Sequence, residues 1–496
     1  MNIIALYLSV MNALINKIKK LEKAALLLEP NQNTRESWHK QVSEIAENFL
    51  GKLENGKAYD QDSSHIKQLK LPFTEKGMLS SKVFGDIVNH VDKPGINPAS
   101  GGHLGYIPGG GLYASALADY WVDVTNRYAG VFFANPGAVK IENELIRWMI
   151  KLVGYPETAW GNLASGGSIA NLIAIVAARE AKAITPENIR KAVIYVSKQT
   201  HHSVEKAFRI AGLQYAITRT LPLTKKLKID TIRFEEIAED DKKQGLIPFL
   251  LVSSAGTTDA GVIDPISALS EICTRYAIWH HVDAAYGGFF LLAKSFSSLL
   301  KAVNKSDSVV LDPHKGLFLP YGLGVVLVKS KTYLKDAFRY EASYMQDATE
   351  VEAEISPADV SPELTKHFRG LRMWLPLRLH GIKVFRAALE EKHLLARYFY
   401  NKISKLYRFE TFGKPELTVV MFRYIPESYD PNAFNQLLIY EIHRDGRIFL
   451  STTTINDVHW LRVAVLAFRT HIKIIDLILQ LLVEKVILIE NKISGY

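Results

Sequence analysis

A lysine stands in an apolar setting near the middle of this chain. In SVVLDPHKGLFLPYGLGVVLVK, residues 308–329, Lys315 lies between two hydrophobic stretches. Desolvation favours its neutral amine, a nucleophile able to form a Schiff base with an aldehyde. The plainer alternative is a lysine whose stem is buried and whose head reaches water. Three other features weigh against that alternative. Asp283 closes the apolar run IWHHVD ahead of the small residues of AAYGG; a carboxylate there can be a structural cap, or can hold a heteroaromatic nitrogen protonated. LASGGSIANLIAI supplies Gly166 and Gly167 for close backbone approach, Ser168 as a helix cap, and first-turn amides that face any anion placed there. By itself that stretch reads only as a capped helix. His201 and His202 follow AVIYVSKQT, and Thr257 and Thr258 follow LLVSSAG.

These residues need elements that bring them together. From about residue 90 to 330, helical stretches (IENELIRWMIKLVG, SIANLIAIVAAREAKA, DPISALSEICTRY) alternate with short β-branched runs (AVIYVS, PFLLVSS, IWHHVDA, SVVLD, GVVLVKS). Apolar strands separated by helices imply a mostly parallel sheet covered on both faces. Ligands of such sheets bind where loops leave the carboxyl ends of the strands. His201, Thr258, Asp283 and Lys315 each follow a different strand, so all four are expected at one edge. Residues 1–90 read as an N-terminal helical segment, 91–375 as the large domain and 376–496 as a smaller α/β domain.

A phosphate cradle, a partner for a pyridine nitrogen, an imidazole and a Schiff-base lysine together describe a site for pyridoxal 5'-phosphate. The motifs SGGSIAN, QTHHSVEKA, SSAGTTDAGVID, HVDAAYGG, DPHKG and FRGLRMW, in this order, resemble those of the group II pyridoxal-phosphate-dependent amino acid decarboxylases, which include aromatic amino acid, histidine and glutamate decarboxylases. The resemblance spans roughly residues 90–470. It implies the type I (aspartate aminotransferase-like) fold, a large, mostly parallel seven-stranded sheet with a smaller C-terminal α/β domain. It also implies Lys315 as the cofactor-bearing lysine, Asp283 as partner of the pyridine nitrogen, and His201 stacked on the ring with Ala285 against the opposite face. Gly167, Ser168 and Ser308 match phosphate ligands, Asp312 falls near them, Thr258 supports the aspartate, and His314 belongs to the lysine motif. The implied reaction is loss of CO2 from an L-amino acid, aromatic by preference, through an external aldimine and a quinonoid, to give an amine.

Other assignments rest on the same resemblance. NPASGGHLGYIPGGG matches a segment lining the side-chain pocket, often from the neighbouring subunit, so His103, Tyr106 and Pro108 are candidate substrate contacts. Gly109 stands where some relatives carry a hydroxyl. Arg462 sits where an arginine can face the substrate carboxylate, and Phe132 and Phe133 can add an aromatic wall. A loop tyrosine donates the final proton in aromatic amino acid decarboxylases, and Tyr344 is the single tyrosine of the corresponding stretch, ASYMQDATEVEAEISPADVSPELT; His201 or His202 are alternative donors. The alternatives to decarboxylation are a carbon–carbon lyase of the sphingosine phosphate lyase kind, a decarboxylation-dependent aldehyde synthase, and an inactive scaffold homologue.

The remaining composition narrows the partners. A net charge of +9 comes from 60 basic and 51 acidic residues spread along the 496-residue chain, without the basic stripe and interleaved aromatics of a nucleic-acid surface. A single cysteine, Cys273, excludes an intramolecular disulfide and a multi-cysteine metal site and suits a reducing cytoplasm. The N-terminal run carries its charges after its apolar part and is interrupted by Asn2, Asn12 and Asn16, unlike a signal peptide or membrane span. Ile4, Tyr7, Met11, Leu14, Ile18 and Leu21 recur at helical spacing, so an amphipathic helix seeking a partner surface is expected, with a second subunit of a homodimer as that partner.

Overall fold

The β-branched runs form strands and the 3.6-residue patterns form helices in the computed structural model, which describes residues 3–62, 66, 73–339 and 354–494. The chain divides into two compact units, residues 1–56 with 62–95, and residues 57–61 with 96–496. The first holds α1 (Ile3–Ala25), α2 (Gln32–Lys52) and α3 (Ser80–Ile87). None of the three has a buried residue, and Ile4, Tyr7, Leu14, Ile18 and Leu21 of α1 all stand exposed. The α1 stripe therefore has the expected helical form and no core of its own within the unit.

The second unit is built on a seven-stranded sheet. Its strands are β1 (Trp160–Ala164), β2 (Ala192–Ser197), β3 (Ile217–Leu221), β4 (Ile247–Ser254), β5 (Trp279–Asp283), β6 (Ser308–Leu311) and β7 (Gly324–Val328). The spatial order is β1-β7-β6-β5-β4-β2-β3, and β7 alone runs against the others. Val252, Val282, Val310 and Val326 are fully buried, as strands covered on both faces require. The crossovers include α4 (Gly167–Ala181), α5 (His202–Ile210) and α6 (Ile266–Tyr276). Because β7 is antiparallel, the turn that leads into it, with Tyr321 and Gly322, comes to the same edge as the carboxyl ends of β1, β2, β4, β5 and β6.

The residue-375 boundary falls inside α7 (Gly370–His380). The passage between cores is made by α8 (Ile382–Ile403), whose Phe385 and Leu389 pack in the core of the large sheet and whose Leu395, Ala396, Phe399 and Ile403 pack in a second core. That second core lies on a four-stranded antiparallel sheet, β8 (Phe409–Thr411), β9 (Val419–Tyr424), β10 (Ser451–Ile455) and β11 (Val458–Ala464), in the order β8-β9-β11-β10. The helices α9 (Pro431–Asp445) and α10 (Ile472–Ile493) contribute Phe434, Leu438, Ile475, Ile478 and Leu482 to it. No helix among the described residues is long and apolar enough to cross a membrane.

Candidate active site

Five strand exits and the turn before β7 enclose a cavity of about 360 Å³. Among its lining residues are Gly167, Ser168, His201, Thr258, Asp283, Ala285, Asp312, His314 and Lys315. Nine of the ten expected cofactor contacts thus converge from separate parts of the sequence.

At the exit of β1, Gly166 has φ 153°, a conformation that disfavours a side chain. It occupies the cap position of α4 without a side-chain hydrogen bond, and Ser168 lies one residue inside the helix. The helix is therefore not capped by Ser168 as expected. Its first-turn amides have no capping side chain, which leaves them to an anion and reinforces the positive end of the helix dipole. A Cβ on Gly167 would stand 2.8 Å from Asp312 Oδ2, so glycine is needed for the β1 and β6 exits to approach this closely.

Asp312 Oδ2 lies 3.0 Å from Lys315 Nζ, and the lysine side chain keeps 23% exposure toward the cavity. The other oxygen, Asp312 Oδ1, is buried with no hydrogen-bond partner. Burial pushes the lysine toward its neutral form, but the charges of Asp312 and Asp283 outweigh burial and hold it above the ordinary lysine range. The expectation of a neutral amine is corrected accordingly: Asp312, three residues before the lysine, and Asp283 from the end of β5 hold its charge against burial. His314 donates Nδ1–H to the Leu323 carbonyl at 2.7 Å, which fixes its tautomer, and its ring lies 5.7 Å from that of Tyr321.

Asp283 ends β5. Its Oδ1 accepts the Ala285 N–H at 3.0 Å and its Oδ2 faces Asn171 Nδ2 at 3.3 Å. His201 caps α5, its Nδ1 accepting from the Ser203 N–H at 3.3 Å. Burial lowers the His201 pKa, with the nearby Asp283 charge opposing, so the neutral ring is favoured. The ring of His202 is 4.2 Å from that of His201, but His202 itself is exposed and does not line the cavity.

A cleft that gathers an uncapped helix end, a lysine, an aspartate and a neutral imidazole suits a cofactor that carries a phosphate, an aldehyde and a basic ring nitrogen. A family model described as the pyridoxal-dependent decarboxylase conserved domain matches residues 64–425. The chain belongs to the pyridoxal-dependent decarboxylase family. The chain is similar to an aromatic-L-amino-acid decarboxylase of Bacillus atrophaeus, at 34% identity over 76% of this chain and 78% of the relative. It is also similar to a phenylacetaldehyde synthase of Petunia hybrida, at 30% identity over 75% and 78%. In fold it resembles the crystal structure of Oryza sativa TDC with PLP and tryptamine, with a TM-score of 0.87, 21% identity and coverage of 93% and 99%. The protein is thus a carboxy-lyase of the type I fold with pyridoxal phosphate as its cofactor.

Several expected contacts of this decarboxylase stand elsewhere. Ser308 is fully buried; its hydroxyl accepts from Trp279 Nε1 at 2.9 Å and meets His281 Nδ1 at 2.8 Å, so it is committed to these two rings at the start of β6 and does not line the cavity. Arg462 is 2% exposed. It donates Nε to the Asp259 carbonyl at 2.7 Å, Nη1 to Ser451 Oγ at 2.7 Å and Nη2 to the Thr258 carbonyl. It therefore ties β11 to the turn after β4 instead of facing a substrate carboxylate. His103 is buried against Phe449, with ring centroids 5.7 Å apart, and burial lowers its pKa to about 4. Pro108 is buried too, and Tyr106, at φ 54°, is 57% exposed. None of the four lines the cavity of this chain. Phe132 and Phe133 also lie outside it, and Tyr344 lies outside the described residues.

Gly109 has a clear structural reason. A Cβ there would fall 2.0 Å from the His314 carbonyl oxygen, so the glycine segment packs directly on the backbone that presents Lys315 and has no room for a hydroxyl-bearing side chain. The sequence reading missed Asn171, Gln199, Ser203 and Tyr321 in the cavity wall, and His281 beneath it. His281 was findable: it lies two residues before Asp283, hence on the same side of strand β5.

Proposed function

We propose that this enzyme decarboxylates an aromatic L-amino acid to its amine, with Lys315, Asp283 and His201 as the catalytic residues. The carrying observation is the meeting of these three side chains with the uncapped helix α4 in one cavity of a pyridoxal-dependent decarboxylase. Pyridoxal phosphate, when bound, supplies an electron sink for the pair freed as CO2 departs. Gly167, Ser168 and the first-turn amides of α4 would hold its phosphate. Asp283 would hold a proton at its ring nitrogen, and His201 and Ala285 would flank the ring. Thr258 would support Asp283, and Lys315 would carry the covalent attachment, delivering its ammonium proton to Asp312 as the amine becomes a nucleophile.

The aromatic preference draws on the Bacillus relative and on the rings of His201, Tyr286, His314 and Tyr321 in the cavity wall. A homodimer is part of the same reading: the exposed apolar face of α1 calls for a covering surface, and Tyr106, more than half exposed, is open to a partner's cavity.

The test is a panel of tyrosine, phenylalanine, tryptophan, histidine, glutamate and 2,4-diaminobutyrate incubated with the holoenzyme, following CO2, amine, aldehyde and ammonia. Amine and CO2 in equal amounts from aromatic substrates are expected. Aldehyde with ammonia would replace the reading by an aldehyde synthase, as the similarity to the Petunia enzyme allows, and exclusive turnover of a non-aromatic substrate would remove the aromatic assignment. Sedimentation of the holoenzyme is expected to give twice the 55.7 kDa chain mass; a monomer would remove the dimer.

A further inference from the structure

A chain of side chains runs from the core behind the cavity to Asn171 and Ser203 in its wall, and ends on Asp283 and His201. Trp279 Nε1 donates to Ser308 Oγ at 2.9 Å. Ser308 Oγ meets His281 Nδ1 at 2.8 Å, and His281 Nε2 meets Asn171 Oδ1 at 2.8 Å. Asn171 Nδ2 then reaches Asp283 Oδ2 at 3.3 Å and Ser203 Oγ at 3.4 Å. Ser203 Oγ finally meets His201 Nδ1 at 2.8 Å. Trp279, Ser308, His281, Asn171 and Ser203 are each no more than 3% exposed, so the chain is buried along its length.

One arrangement of protons satisfies every member. An amide oxygen only accepts, so His281 must carry its proton on Nε2. Burial holds the His281 pKa well below the ordinary histidine value, against the pull of Asp283, so the ring is neutral and its Nδ1 is an acceptor. Ser308 therefore donates to Nδ1 while accepting from Trp279, whose indole can only donate. With its oxygen held by His281, the Asn171 amide has a single orientation, and its hydrogens face Asp283 Oδ2 and the hydroxyl of Ser203, the neighbour of His201. Ser203 then donates to His201 Nδ1, which leaves the single N–H of a neutral His201 on Nε2. From the cavity side, Lys315 and His201 also interact with Asp283.

We infer that Asn171, oriented by His281, is a positioning residue that sets Asp283 and His201 together, so that the carboxylate and the imidazole of the active site share one support. The inference rests on the reading of Asp283 as partner of the cofactor's ring nitrogen. It implies that the two flanking residues are not tuned independently, because a rotation of one buried amide disturbs both.

The experiment uses holoenzyme carrying Asn171→Ala, His281→Phe, both together, or Asp283→Asn. The readouts are the absorbance of the bound cofactor from pH 5 to 10 and the Kd for pyridoxal phosphate. Asn171→Ala is expected to move the pH midpoint of the absorbance by about half a unit or more and to weaken cofactor binding by roughly tenfold. His281→Phe should give a similar change, and the double variant no more than the larger single one, because the two act through one amide. His281→Gln, which can still donate to Asn171 Oδ1, should restore most of the wild-type titration. If His281→Phe does not fold, His281→Ala carries the same expectations. Unchanged titration in Asn171→Ala, or additive effects of the two substitutions, overturns the inference while a shifted Asp283→Asn titration leaves the reading of Asp283 standing. An Asp283→Asn protein with wild-type absorbance and affinity overturns both.

Discussion

Two lysine–carboxylate pairs in the second unit have opposite fates. Lys366 Nζ lies 2.6 Å from Glu142 Oε2, with the side chains 0% and 2% exposed. Its surroundings are closed: the same Nζ donates to Asn162 Oδ1 at 3.2 Å, and Glu142 Oε1 accepts the Gly370 N–H at 3.0 Å. Lys315 and Asp312 are also paired, but the lysine opens on the cavity and Asp312 Oδ1 has no partner. The difference is one of completion. A buried lysine whose carboxylate partner has both oxygens filled, as Glu142 has, is held in place, whereas one whose carboxylate leaves an oxygen unfilled beside a cavity can exchange partners when a ligand enters.

The largest effect expected from this contrast is on chemistry. Lys315→Ala should abolish the bound-cofactor absorbance and reduce CO2 release at least about a thousandfold. Its unfolding free energy from urea titration should change by no more than ~1 kcal/mol, because water entering the cavity can solvate Asp312. A large loss of stability in that variant would erase the distinction between the two pairs.

Lys366→Met should behave in the opposite way. It leaves Glu142 buried and uncompensated, at a cost of about 3–5 kcal/mol in chemical denaturation, with the specific activity of the folded fraction retained. Adding Glu142→Leu should recover part of that loss. A Lys366→Met protein of normal stability and low activity would place this pair with the catalytic one.

The smallest effect concerns a third, intermediate pair. Glu354 accepts from Lys140 at 2.6 Å, Arg147 at 2.5 Å and Asn143 at 2.9 Å. Burial alone would raise its pKa, but Arg147, Lys140 and Asn143 outweigh burial and bring it down to about 2. A carboxyl depressed in the folded state stabilises the fold fully above its ordinary pKa of 4.5 and loses that contribution as pH falls toward 2. Because Lys140 and Arg147 are partly exposed, screening limits the effect to about 1–2 kcal/mol. Glu354→Gln should therefore be less stable than wild type at pH 7, and the difference should shrink between pH 4.5 and pH 2 in urea titrations. A difference independent of pH would assign the cost to packing.

Much of this molecule was legible before its structure. The runs AVIYVS, PFLLVSS, IWHHVDA, SVVLD and GVVLVKS each supply a strand, because β-branched runs bounded by turn residues carry a strong local signal. WGNLA and ITRTL did not announce themselves: the first contains glycine and asparagine, and the second is an edge strand that alternates polar and apolar residues. Site residues at strand exits were found because a parallel sheet sends all its carboxyl ends to one edge. Ser308, Arg462, His103 and Pro108 were placed in the site by resemblance alone, and a polar or ring-bearing residue close to a motif in sequence can still face away from the cavity.

The sequence by itself determined the strand–helix alternation, the glycines that let β1 and β6 approach, and the residue types that stand at each exit, since these follow from local periodicity and from steric limits on the backbone. The fold was needed to add Asp283, from the end of β5, to the neighbouring Asp312 in holding the charge of Lys315. It alone decided the buried commitments of Ser308 and Arg462, and the line of hydrogen bonds from Trp279 to His201. Electrostatic and hydrogen-bonding partners are properties of three-dimensional neighbours, and a one-dimensional pattern records only which groups are available to become them.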